Sequence, residues 1–390
     1  MTLDIARLRA ETPGTLEVAH FNNAGSSLMT APVLQAVTDH LTLESRIGGY
    51  EAAGLAKAAI DRFYAAAARA VAGKPHEIAF VENATRAWDM AFYAFDWKPG
   101  DRVLTARSEY NSNMIAYRQV ARRFGVDILL IDNDESGAID TRALENAVDE
   151  RTRLIALTHI PTNDGLINPA AAVGRIARAA GVPYLLDACQ SVGHLPIDVA
   201  EIGCTMLSTT GRKYIRGPRG TGFLWVREDW VERLEPPFLD NRAASWTAVE
   251  DYRIQPDARR FENWEFNVAG KIGLAVALDR MADIGMPAIW ARIRALATRL
   301  RDGLAAIDGV SLHDTGREKS GLVTFTKAGE SAVETRARLA TAGINVSASK
   351  SQLTRHDLLD AGIDVMVRAS VHAYNTEEEV DRLLAVVADG

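Results

Sequence analysis

The 390-residue chain is poor in cysteine, with only Cys189 and Cys204 present. Two thiols cannot build a disulfide framework or a four-thiolate zinc site. Long apolar runs are missing as well, so no membrane-spanning helix is expected. The opening MTLDIARLRAETPG has no apolar core of the signal-peptide kind, which predicts a cytoplasmic protein. Positive charge is not in excess: 44 Lys and Arg stand against 51 Asp and Glu, for a net charge of −7. That balance argues against nucleic acid or an anionic membrane as the main partner. HExxH, GxSxG, P-loop and metal-spaced Cys/His patterns are all absent, so no metal site is expected. Lysine is scarce too. Eight occur, at positions 57, 74, 98, 213, 271, 319, 327 and 350, and arginine supplies the rest of the basic residues.

What is present is ordinary globular material. A hydrophobic share of 47% against 24% charged excludes a disordered chain, and the length predicts two domains. From about residue 77 short apolar runs alternate with longer helical periods: EIAFV, DRVLTA, VDILLID, RLIALTH and PYLLD, each followed by a helix or a polar turn. Strands of this length between helices predict an α/β fold with a mostly parallel sheet. TMLSTT and TGFLWVR, separated by a Gly/Pro-rich turn, suit a hairpin or a sheet edge. After about residue 265 long amphipathic helices mix with a few strands, which predicts a smaller α+β domain. Thr376 and Glu379 form a capping box at the start of the last helix.

In open parallel sheets ligands bind beyond the C-terminal ends of the strands. After EIAFV come Asn83, Ala84 and Thr85, which read either as a plain helix N-cap or as an anion site of free N–H groups. Tyr110, after DRVLTA, is placed either in a turn or to stack on a flat ligand. Thr162 follows RLIALTH in a turn that can face a ligand. Asp187 ends a fully apolar strand, where an unpaired carboxylate is costly; its partner is a helix N-terminus, an arginine or a protonated ligand nitrogen. TMLSTT ends at Thr210 and is followed by Gly211, Arg212 and Lys213, then a glycine turn. A lysine beside arginines is normally solvated, but one at a strand end among hydroxyls suits Schiff-base formation. Asp187, Gln190 and Lys213 in this order match the needs of pyridoxal phosphate: a carboxylate for the ring nitrogen, a lysine for the aldehyde, donors for the phosphate.

The chain resembles the class V aminotransferases of the cysteine-desulfurase-like group, fold type I of the pyridoxal-phosphate enzymes. The resemblance runs from HFNNAGS to the last helix and rests on DACQSVGH, STTGRKYIRGPRGTGFLWVR, RRFENWEFN and VRASVHAYNTEEEVDRLL. It implies a large cofactor domain over residues 20–265, with 1–19 and 266–390 in a small domain. It implies that Lys213 holds the cofactor aldehyde, Asp187 pairs the pyridine nitrogen and Gln190 approaches the ring hydroxyl. Ala84, Thr85, Thr210 and Arg212 would hold the phosphate, and Tyr110 would stack on the ring. Arg368 would clamp the substrate carboxylate, with Asn22, Asn23 and Thr162 beside the substrate. Glu265 and Asn267 would reach the partner subunit's site, so a homodimer with shared active sites is implied.

Two departures qualify the resemblance. Cysteine desulfurases carry a mobile-loop cysteine before the RAS strand, whereas here the stretch NVSASKSQLTRHDLLDAGID holds none. Cys189 occupies a small-residue position and reads as packing rather than as a nucleophile. The asparagine that many relatives place before Gly165 is replaced, with Thr162 at the matching position. The chain is thus similar to the cysteine-free branch, which includes hercynylcysteine sulfoxide lyases and isopenicillin-N-epimerase-like proteins. The expected activity is β-elimination at a carbon–sulfur bond of a cysteine-derived thioether or sulfoxide, with Lys213 as acid/base and pyruvate and ammonia released. Epimerisation and transamination are the alternatives. Residues 239–260 and 347–360 are expected to line the substrate end of the site.

Overall fold

The computed structural model describes residues 3–354, 356 and 362–389. The apolar runs form a seven-stranded sheet in the order Ile78–Val81, Gly222–Val226, Met206–Thr210, Tyr184–Asp187, Thr152–Thr158, Arg102–Ala106, Asp127–Ile131. Four adjacent pairings are parallel, whereas Gly222–Val226 runs against both of its neighbours. This is the α/β class, and TMLSTT and TGFLWVR do pair as antiparallel neighbours.

The central strands are buried throughout because the sheet is covered on both faces. Side chains alternate between the two layers, as strand geometry requires. Leu185, Met206 and Leu224 join Trp88, Phe92 and Tyr117 on one side, while Leu186, Leu207 and Phe223 join Phe63 and Leu274 on the other. Each such side chain contributes about 1.5–3 kcal/mol on burial, enough to hold the strand ends in fixed register.

A second, antiparallel sheet orders Val310–Leu312, Leu322–Lys327, Val365–Ser370 and Ser347–Lys350. Helices Met286–Ala305 and Glu377–Ala388 pack on each other beside it. The latter opens with the expected capping box: Glu379 N–H donates to Thr376 Oγ1, and Thr376 N–H to Glu379 Oε2, each at 3.2 Å. The start of the chain is woven into this unit. Ala19–His20 pairs in parallel with Ile344–Asn345, and Ser370 N–H donates to Phe21 O at 2.7 Å.

Helix Val268–Ile284, read from sequence as part of the smaller unit, packs against Ala31–Ile47 and Lys57–Ala70. Its apolar residues run nearly all round, and even Lys271 is fully buried, its ammonium donating to Tyr64 OH at 2.8 Å. A helix with that pattern needs cover on more than one side. No helix among the described residues is long and apolar enough to cross a membrane.

Candidate active site

The strand-end turns singled out in the sequence converge on one cavity of about 450 Å³. Asn83 to Thr85, Tyr110, Thr162, Asp187, Cys189, Gln190, Thr210, Arg212 and Lys213 all contribute to its wall. Lys213 is held by a tight turn. Gly211 N–H donates to Thr221 O and Gly217 N–H to Gly211 O, both at 2.8 Å. A Cβ on Gly211 would stand 2.3 Å from Thr221 Oγ1, so the turn closes only around glycine.

Asp187 carries two hydrogen bonds: Cys189 N–H donates to Oδ1 at 2.9 Å, and Asn113 Nδ2 donates to Oδ2 at 3.0 Å. Burial raises its carboxyl above the ordinary range against the pull of these donors. Burial likewise pushes the Lys213 ammonium down, and Arg212 adds to that fall. Lys213 Nζ donates to Cys189 Sγ at 3.2 Å. An amine poised towards neutrality is what attack on an aldehyde requires.

The N-cap reading of Asn83 holds, and its neighbours stand where the anion-site reading requires them. Asn83 Oδ1 accepts from Arg86 N–H at 2.9 Å, while Ala84 and Thr85 lie in the first turn, ahead of the helix's own hydrogen-bond ladder, and face the cavity. Gln190 Nε2 donates to Ala24 O at 3.1 Å, and its Oε1 is buried with no partner. A helix N-terminus, a cationic Arg212, a buried carboxylate, an orphaned amide oxygen and an amine in one cavity suit the phosphate, ring and aldehyde of pyridoxal phosphate.

Arg368 borders this cavity on Thr162. Its Nη1 donates to Thr162 O at 2.8 Å and Thr162 Oγ1 at 2.9 Å, and its Nη2 to Asn22 Oδ1 at 3.4 Å. Among the described residues no carboxylate pairs with it, and its Nε has no partner. Burial lowers its guanidinium to about 10, so it still carries its charge and lacks an anion.

Two sequence readings, those of Asn23 and Cys189, are corrected. Asn23 does not reach the cavity: its amide donates to His20 O and Ser370 O at 3.1 and 2.7 Å and accepts from Tyr374 OH, tying the chain start to the second sheet. Glu265 and Asn267, expected to reach a partner subunit's site, lie apart from this cavity in a cleft of about 650 Å³ with Tyr50 and Arg242, where Asn267 also caps the following helix through Gly270 N–H at 2.7 Å. Cys189 is a cavity residue in contact with Lys213 and not merely packing.

Of the stretches expected at the substrate end, Ala244–Ala248 and Asp251–Ile254 form a hairpin with Trp246 and Tyr252 exposed, outside the cavity lining. Lys350 O accepts from Asn163 Nδ2 at 2.7 Å, while residues 355 and 357–360 lie outside the described residues. Sequence reasoning missed Asn113 and gave Glu109 no role. The available signal was spacing: Asn113 and Tyr117 lie four apart on one face of the helix Asn111–Phe124, and Glu109 stands four residues before Asn113, just ahead of that helix.

An α/β fold with its sheet covered on both faces and this lysine–carboxylate cavity at the strand ends defines a pyridoxal-phosphate-dependent enzyme. The chain belongs to the family described as aminotransferase class-V, whose profile matches residues 19–383. It is 30% identical over 388 residues to a probable cysteine desulfurase of Methanothermobacter thermautotrophicus, covering 96% of this chain and 95% of that one. Its fold matches a cysteine desulfurase from Thermococcus onnurineus NA1 with a TM-score of 0.91 and 27% identity, over 100% of this chain and 98% of the other. It also matches the cystine C-S lyase C-DES in complex with its product cysteine persulfide, with a TM-score of 0.87 and 24% identity over 97% and 99% of the two chains. That last likeness shows the fold alone.

Proposed function

We propose that the protein is a carbon–sulfur β-lyase acting on a cysteine-derived thioether or sulfoxide. Bound pyridoxal phosphate supplies an aldehyde that captures the substrate amine and a ring that takes up carbanion charge. In this reading Asp187 meets the ring nitrogen, Gln190 the ring hydroxyl and Tyr110 one ring face. Ala84, Thr85, Thr210 and Arg212 hold the phosphate. Arg368 takes the substrate carboxylate with Asn22 and Thr162 beside it, and Lys213 removes the α-proton. The sulfur group leaves with the electron pair of the Cβ–S bond; one water is consumed, and the products of a thioether are a thiol, pyruvate and ammonium.

The observation that carries the reading is the joint placement of Lys213, Asp187 and the anion-free Arg368 around one cavity, with no cysteine between Ile344 and Arg368. Relatives named as cysteine desulfurases support chemistry at the Cβ–S bond, and the absent cysteine favours release of the sulfur group over its capture. A second reading, transfer of sulfur to Cys189, is favoured by the position of that thiol beside Lys213. The cleft with Glu265, Asn267 and Tyr50 is read as the place where a second copy of the chain completes a shared site.

Purified protein loaded with pyridoxal phosphate and given cysteine, S-alkylcysteines and their sulfoxides decides between these readings. Pyruvate in equal amount to the lost substrate supports the lyase. Alanine with a persulfide on Cys189, a racemised substrate, or an oxo acid with aminated cofactor would each overturn it in favour of desulfuration, epimerisation or transamination.

A further inference from the structure

Behind Asp187 lies a second buried carboxylate that the proposed chemistry does not use. Glu109 is 1% exposed and collects five donors. Tyr110 N–H and Asn113 Nδ2 reach Oε1 at 2.8 and 2.9 Å, and Thr158 Oγ1 bonds the same oxygen. Thr105 Oγ1 and Tyr117 OH reach Oε2 at 2.9 and 3.2 Å. Among the described residues no lysine, arginine or histidine pairs with it, and the titratable groups around it are Asp187, Tyr117 and Tyr184. A buried carboxylate without a cation is costly, and here hydrogen bonds alone hold it.

The link to the cavity is a single amide. Asn113 Nδ2 donates one hydrogen to Glu109 Oε1 and the other to Asp187 Oδ2. Both hydrogens of that nitrogen are committed, so the two carboxylates are fixed relative to each other, with no rotation open to Asn113 that keeps both bonds. Thr105, Thr158 and Tyr117 come from two strands and a helix, so the fold itself holds the pair in place.

We infer that Glu109 is a positioning residue that, through Asn113, supplies a second negative charge behind Asp187 and thereby keeps the cofactor's ring nitrogen protonated. Burial and the neighbouring Asp187 push the Glu109 carboxyl above its ordinary range, and against them stand two N–H donors, which cannot act as acceptors, and three hydroxyls, all of which favour its ionised form. Its charge raises the proton affinity of everything on the Asp187 side, and the group that gains is the basic ring nitrogen against Asp187. The residue touches neither substrate nor cofactor. It acts as an outer support of the kind that tunes a ligand held by the carboxylate in front of it. The inference rests on the reading that Asp187 meets the ring nitrogen.

Nitrogen NMR of holoenzyme reconstituted with pyridoxal 5′-phosphate isotopically labelled at the ring nitrogen tests it. Glu109→Gln should lower the ratio of protonated to unprotonated ring by about tenfold, the factor of one pKa unit, and weaken cofactor retention on dialysis. Tyr117→Phe removes one donor from Glu109 while keeping its ring against Trp88 and Phe92, and should move the signal the same way by less. It is the variant to read if Glu109→Gln does not fold. A ring nitrogen that stays protonated in the variant read would overturn the inference. Asp187→Asn is the separate control: if it leaves the nitrogen signal unmoved, the placement of Asp187 against the ring fails, whatever Glu109 does.

Discussion

Lys213 Nζ donates to Cys189 Sγ across 3.2 Å, so the amine and the thiol share one wall of the cavity. Burial is the first cause acting on each: it pushes the ammonium below its ordinary range and the thiol above its own. Both groups therefore tend towards their neutral forms. A neutral amine attacks an aldehyde, whereas a neutral thiol is a poor nucleophile.

Lys213→Ala should bind pyridoxal phosphate without a covalent bond, leaving no adduct that borohydride can fix for mass spectrometry. Its turnover should fall by about a thousandfold or more, the range for removal of a positioned acid/base. An unchanged borohydride adduct would show that another lysine holds the cofactor.

Cys189→Ala separates elimination from sulfur transfer. Lost is one hydrogen bond to sulfur, worth about 1 kcal/mol at most, so pyruvate formation should stay within about fivefold of the parent. Complete loss of turnover, with normal cofactor absorbance, would instead place the thiol in the reaction.

Arg368→Lys keeps the charge and loses the planar fork. Charge-assisted bidentate pairs are worth about 1.5–3 kcal/mol, so kcat/KM should fall by roughly 10- to 100-fold, chiefly through KM. Steady-state kinetics with the amino acid and with its decarboxylated amine provide the check. The amine should not distinguish parent from variant.

Acid should weaken the fold through buried histidines. His194 stacks on Tyr214 with ring centroids 3.8 Å apart; its Nε2 accepts from Gly321 N–H at 2.8 Å, and Gln190 O accepts from its other nitrogen at 3.0 Å. Burial lowers it to about 3, so the folded state keeps it neutral while the unfolded chain protonates it below about 6.5. Its contribution is fully present above pH 6.5 and is lost as pH falls from there towards 3. By pH 4.5 the loss is about 3 kcal/mol for this residue alone. Urea unfolding across that range should show it, and His194→Gln should lessen the slope by about one proton.

Much of the site was legible because strand-end chemistry leaves a local mark. Asp187 closes an apolar strand, Lys213 follows another in a glycine-rich turn, and both face the cavity where strand order leads them. Glu109 and Asn113 were not legible in the same way. Their meaning depends on Thr105, Thr158 and Asp187, which meet them only after strands far apart in sequence pair. Cys189 was misjudged for a similar reason, since a small apolar setting in sequence does not disclose a lysine folding back from residue 213.

From sequence alone came the α/β class, the strand and helix rhythm and the lysine, because hydrophobic periodicity and turn composition act within a few residues of one another. Tertiary structure decided which groups share a charge environment: that Arg368 lacks an anion, that Asn23 is a tie between chain start and second sheet, and that two carboxylates share one amide. Desolvation and electrostatic coupling depend on distance in space, which the order of residues does not specify.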